Sequence, residues 1–136
     1  PEVDQIKLHF QQTRHYLEEL AKQPIGNYLF ERFPTGCCGN VSHILGCFLI
    51  SQGYENVRYI AGERTVSGQY QTHAWLEWNS WIIDITADQF VDGLRAVFVE
   101  TDSEFHRSFT RNYESEPAIS SCIAAQNRKF LNAIKV

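Results

Sequence analysis

Thr72-His73-Ala74-Trp75-Leu76-Glu77-Trp78-Asn79-Ser80-Trp81-Ile82-Ile83-Asp84-Ile85-Thr86 is the stretch on which the reading of this chain turns. Two runs rich in aromatic and β-branched residues flank Asn79-Ser80, which suits a two-residue hairpin loop. That loop length sets Trp78 opposite Trp81, Trp75 opposite Asp84 and His73 opposite Thr86. Side chains alternate along a strand and cross-strand partners share a face, so His73, Trp75, Glu77, Asp84 and Thr86 project to one side. Ala74, Leu76, Trp78, Trp81, Ile83 and Ile85 project to the other, which is a core face. His73 and Asp84 become diagonal neighbours about 7 Å apart at the backbone, within reach of an imidazole-to-carboxylate hydrogen bond. A carboxylate in that position fixes the imidazole tautomer and stabilises the imidazolium, the task of the third member of a catalytic triad. The pairing depends on register, because one residue more or less in the loop would send the two side chains to opposite faces. Asp88 is the alternative orienting group if the register slips.

A histidine oriented in this way calls for a nucleophile, and Gly36-Cys37-Cys38-Gly39 supplies two thiols at a junction between loop and helix. Between Cys38 and Gln52 the apolar residues Val41, Leu45, Phe48 and Leu49 form one stripe, and Gly53 provides a stop. A thiol at a helix N-terminus is stabilised as thiolate by the unpaired N–H groups and the helix dipole. Cys38 lies on the stripe expected to face the sheet, whereas Cys37 would point about 100° away, so Cys38 is the expected nucleophile and Cys37 the alternative. The segment before it has no glutamine to serve as an oxyanion donor, only Asn27, Arg32 and Thr35. The backbone N–H of the nucleophile takes that part.

The ordered set Phe33-Pro34-Thr35-Gly36-Cys37-Cys38, Ser42 and Leu45, then His73-Ala74-Trp75-Leu76-Glu77, then Ile83-Asp84-Ile85-Thr86 resembles the transglutaminase-like branch of the papain-like cysteine enzymes. It covers residues 33–90. The resemblance implies a Cys that begins a central helix, His and Asp on successive antiparallel strands, and catalysis through Cys38, His73 and Asp84. It also implies an acyl-enzyme formed on a peptide or protein carboxamide, then resolved by water or an amine, as in peptidases, glutamine deamidases and transglutaminases. A catalytically silent peptide-binding module on the same fold, or the effector or toxin domain of a larger protein, are the other readings.

Outward from this centre the chain reads as one α+β domain over residues 1–136. Val3 to Gln23 is an amphipathic helix carrying Ile6, Phe10, Leu17 and Leu20, with Pro24 just past its end. Ile25 to Gly36 reads as a partly buried loop. Val57 to Val66, Tyr70 to Trp78 and Trp81 to Thr86 read as an antiparallel meander turning at Ser67-Gly68 and Asn79-Ser80, with a further short strand at Arg95 to Val99. Asp102 to Tyr113 is polar, with Phe105 and Phe109 at helical spacing. Ser115-Glu116-Pro117 opens a closing helix bearing Ile119, Ile123, Phe130 and Ile134.

A formal net charge of −4 gives no electrostatic pull toward nucleic acid or an anionic membrane. Ile44 to Ile50, the longest apolar stretch, is broken by Gly46 and falls far short of the roughly 20 residues a bilayer needs. No secretory leader is visible, and adjacent Cys37 and Cys38 do not suit a mutual disulfide, so the four cysteines are expected reduced and the protein cytoplasmic. Zinc is the main competing chemistry, since Cys37, Cys38, Cys47, His43 and His73 offer ligand atoms. The absence of any CxxC pair argues against it, and neither a metal nor another cofactor is expected. Cys47 and Cys122 are expected in the core, Glu77 in solvent, and His43 and His106 on exposed helical surface, while Trp75 walls the cleft or packs on the nucleophile helix.

Overall fold

The computed structural model describes residues 2–21, 38–93 and 95–118. Helix α1 spans Glu2–Ala21 and α2 spans Cys38–Ser51. Strands β1 (Arg58–Val66), β2 (Gln69–Trp78) and β3 (Trp81–Asp84) follow as a meander. Two 3-10 turns, Ala87–Gln89 and Val91–Gly93, lead to β4 (Phe98–Glu100), a one-turn helix α3 (Glu104–Arg107) and β5 (Thr110–Ser115). The sheet order is β4-β3-β2-β1-β5, and each neighbouring pair is antiparallel. A mixed α+β architecture is therefore what the chain adopts. The expected loop at 25–36 and the closing helix after residue 118 lie outside the described residues.

Both hairpins are made by paired left-handed residues. Ser67 and Gly68 have φ of 50° and 79°, Asn79 and Ser80 have φ of 47° and 70°, and this local twist matches that of the flanking strands. The second turn sets Trp78 opposite Trp81, Glu77 opposite Ile82 and Leu76 opposite Ile83, the register expected from the loop length. Helix α2 ends with Gly53 at φ 94° and the Tyr54 N–H donating to the Leu49 carbonyl, as a left-handed cap requires.

The sheet separates two cores. Ile6 and Phe10 of α1 and Val41, Ile44, Leu45, Phe48 and Leu49 of α2 pack on Leu76, Trp78, Ile83, Ile85 and Val99. The opposite face buries Ile60, Trp75, Ala87, Phe105 and Phe109, with Phe90 and Ile82 at its margin. This second core is roofed by the 3-10 turns and α3 instead of a long helix. The turns approach so closely that a Cβ on Gly93 would lie 1.8 Å from the Ala87 carbonyl oxygen, a contact only glycine permits.

Two expectations for the later chain are corrected. Residues Asp102 to Tyr113 form one helical turn and then an edge strand: α3 stops at Arg107, and β5 pairs with β1 from Thr110 opposite Glu63 to Ser115 opposite Tyr59. Phe105 and Phe109 both reach the second core, but from a short helix and the link after it. The strand expected at Arg95 to Val99 is β4, which begins later, at Phe98.

Candidate functional site

Asp84 is the centre of a buried polar group on the sheet face away from the long helices. Its Oδ2 lies 2.5 Å from His73 Nε2, the bond expected from the hairpin register. The Thr86 backbone N–H and hydroxyl both donate to Oδ1, at 2.9 and 3.2 Å. A fourth donor was not anticipated: His106 Nε2 lies 2.7 Å from Oδ2. The side chains of His73, Asp84 and His106 are 0, 1 and 2% exposed. His106, expected at a helix surface, is turned inward because its one-turn helix lies against the sheet and presents Phe105 and His106 to it.

Burial pushes the Asp84 carboxyl upward, but the charge on His73 and the hydrogen bonds from His106 and His73 outweigh it and hold the group well below the usual carboxylate range. It is an anion at every pH at which the protein would work. Aromatic rings wall the group: His73 meets Phe90, Phe105 and Phe109 edge-on or tilted at 5.2 to 5.7 Å between centroids, and Trp75 meets His106 at 4.9 Å. The Arg64 guanidinium caps these rings 4.3 Å from the Phe109 centroid, tethered by Asp92, Ser108 and Gln71. Trp75 thus packs on this face and not on α2, and its indole N–H donates to Glu77 at 3.1 Å. Glu77 is half-buried and also accepts from Arg111, so it is not simply solvated.

Cys38 is the first residue of α2, as expected, while its side chain, Cys37 and Cys122 lie outside what the structure describes. The buried stripe of α2 faces the sheet, but on the Leu76 and Ile83 face, with the His73–Asp84 pair on the other. Sequence period alone told that the stripe meets the sheet and not which face it meets. The β2–β3 ladder closes with Leu76 opposite Ile83, and His73 lies three residues farther along β2. There the first turns of α2 cross the strand: Ser42 Oγ donates to the Ala74 carbonyl at 3.4 Å, and a Cβ on Gly39 would lie 3.2 Å from the Tyr59 hydroxyl. Cys38 begins the helix one turn before the residue bonded to His73's neighbour.

The remaining candidates have other tasks. Asp88 takes a bidentate pair from the buried Arg14, at 2.6 and 2.7 Å, and is no orienting group for His73. Arg14 also donates to the Ile85 carbonyl, tying α1 to the segment after Asp84. His43 is half-buried, not exposed: it stacks on Tyr59 at 3.8 Å, accepts from the Ala118 N–H, and burial lowers its pKa. The sheet stands between His43 and His73, which removes them as joint zinc ligands. Cys47 is free, and partial burial raises its thiol pKa. Among the described residues, His73, Asp84 and His106 could hold a metal ion, with ligand atoms all within 4.8 Å of one another.

Comparison with known proteins finds no matching family model, no matching curated protein and no matching solved structure. No described helix is long and apolar enough to cross a membrane.

Proposed function

We propose that this protein is a cysteine-dependent enzyme of the papain-like, transglutaminase-like kind, acting on a peptide or protein carboxamide. The observation that carries the reading is the buried 2.5 Å bond between His73 Nε2 and Asp84 Oδ2, on successive strands of the sheet against which a helix beginning at Cys38 packs. In this scheme Asp84 engages Nε2, so the thiol proton of Cys38 passes to His73 Nδ1. The thiolate forms a bond to the carboxamide carbon, and the C–N bond breaks as the imidazolium protonates the departing nitrogen. Water or an amine attacks the thioester next, returning its proton to His73 and freeing the thiol. The α2 N-terminus offers backbone N–H groups for the oxyanion. The low pKa of Asp84 keeps it negative throughout, which favours the thiolate–imidazolium pair.

Iodoacetamide tests this reading at neutral pH. One thiol should react well before Cys47, Cys38→Ala should abolish that fast phase and Cys37→Ala should keep it, and mass spectrometry of candidate peptides should trap a thioester. Uniform slow labelling of all four cysteines would sink the enzyme. Loss of the fast phase in Cys37→Ala alone would move the nucleophile by one residue. A second reading, a silent peptide-binding module on the same fold, is favoured by the full burial of the His73 and Asp84 side chains. Peptide binding without any adduct would select it.

A further inference from the structure

His106 and Ser103 had no part in the site read from the sequence, yet their geometry limits where their protons can sit. Ser103 caps α3, its Oγ accepting the backbone N–H of His106 at 3.1 Å. The same Oγ lies 2.6 Å from His106 Nδ1. At the far side of the ring, Nε2 faces Asp84 Oδ2, an anion that can only accept. Nε2 must therefore carry a proton. Ser103 Oγ keeps a second lone pair beside the one on the backbone N–H, so it meets Nδ1 either by donating its hydroxyl proton to a neutral ring or by accepting from a doubly protonated one.

We propose that His106 is a neutral positioning residue for the His73–Asp84 pair: the Ser103 hydroxyl donates to Nδ1 and so sets the tautomer, and the Nε2–H pins the carboxylate oxygen that His73 uses. Its catalytic meaning rests on the cysteine-enzyme reading above, whereas the tautomer does not. A neutral pin has a purpose. Asp84 has one negative charge, and a neutral His106 leaves that charge to stabilise the imidazolium at His73, while Thr86 anchors the other oxygen. Among the described residues, the titratable groups facing His106 are Asp84 and His73, and its other neighbours are the rings of Trp75, Phe98 and Phe105. A divalent ion could use the same three ligand atoms only by displacing both Nε2 protons, which the closed hydrogen bonds oppose.

The test uses the intact 15N-labelled chain. Long-range 1H–15N correlation should show His106 with Nδ1 as acceptor and Nε2 protonated over the neutral pH range used for labelling. An Nδ1–H tautomer, a doubly protonated ring in that range, or a shift of both nitrogens on one equivalent of Zn2+ overturns the proposal. Two variants then separate positioning from filling. His106→Phe keeps a ring among aromatic neighbours but has no donor, and should slow the fast thiol about tenfold and move the acid limb of its labelling profile upward, as the imidazolium is less well held. His106→Gln, whose amide nitrogen stands in for Nε2, should recover most of the rate and the limb. Equal rates in Phe and Gln variants would reduce His106 to packing. Should the Phe variant not fold, His106→Asn, whose shorter amide reaches toward Ser103 but not Asp84, takes its place with the same expectation. A wild type without any fast thiol fails the enzyme reading and with it the catalytic meaning of His106, while the resonances decide the tautomer separately.

Discussion

The two faces of the sheet are built on different principles. The face under α1 and α2 is apolar, filled by Leu76, Trp78, Ile83, Ile85 and Val99 against Phe10, Ile44, Leu45, Phe48 and Leu49. The face under α3 and the 3-10 turns is aromatic and encloses an aspartate with two histidines. Apolar packing has no hydrogen-bond direction to protect, so its stability depends mainly on volume. The polar face depends on direction, because each donor around Asp84 is of use only while the others hold the carboxylate still. A structural core would not need such an arrangement, since an apolar substitute of equal size is often as stable. Its cost sets this face, and not the helix-covered one, apart as the candidate site.

The comparison can be broken most directly at Asp84. Asp84→Ala leaves two buried imidazoles and the Thr86 donors without their acceptor, and should lower unfolding free energy in urea by about 3–5 kcal/mol. The pH dependence gives a sharper form. Because the folded pKa of Asp84 is depressed, its contribution is fully present above the unfolded value of about 3.9 and is lost as pH falls from there toward the folded value. Asp84→Asn should therefore flatten the stability profile below about pH 4, and an unchanged slope there would place the acid sensitivity elsewhere.

Gly93→Ala comes next. It pushes a methyl into the Ala87 carbonyl and should cost about 2 kcal/mol by forcing the roof of the polar face to shift, with disturbed His73 and His106 resonances. On the face under α1 and α2, Ile83→Val should cost about 1 kcal/mol at every pH, with no change in the histidine resonances. Ser103→Ala removes a cap and should cost about 1 kcal/mol, yet unlike Ile83→Val it should alter the His106 ring signals. If Ile83→Val and Ser103→Ala gave the same spectra, the distinction between the two faces would be lost.

How much of this was legible in the sequence follows from how local each feature is. Asn79-Ser80 fixed its hairpin because a two-residue loop admits few geometries, and the His73–Asp84 bond follows from that register at a separation of eleven residues. The start of α2 at Cys38 and its buried stripe were equally readable. The face chosen by α2 was not, since both faces of β2 carry apolar side chains and a helical period does not distinguish between them. His106 was misplaced because Phe105 and Phe109 imitate a longer helix, and β5 was missed because an exposed edge strand such as Thr110–Ser115 has no apolar alternation. One signal was present: Ser103 directly before Glu104-Phe105-His106 is a helix N-cap, and it places the helix start where the structure has it.

Arg14 has a consequence for the order in which the molecule assembles. Its bonds to Ile85 and Asp88 span 71 and 74 residues, whereas His73 meets Asp84 across eleven and His106 across twenty-two. Short loops close early and long ones late. The histidine–aspartate group can thus form within the meander and its roof while the first helix is still searching, and Arg14 arrives last, as a clasp. A chain made in the order of its residues holds α1 in waiting until the segment after β3 exists to receive it.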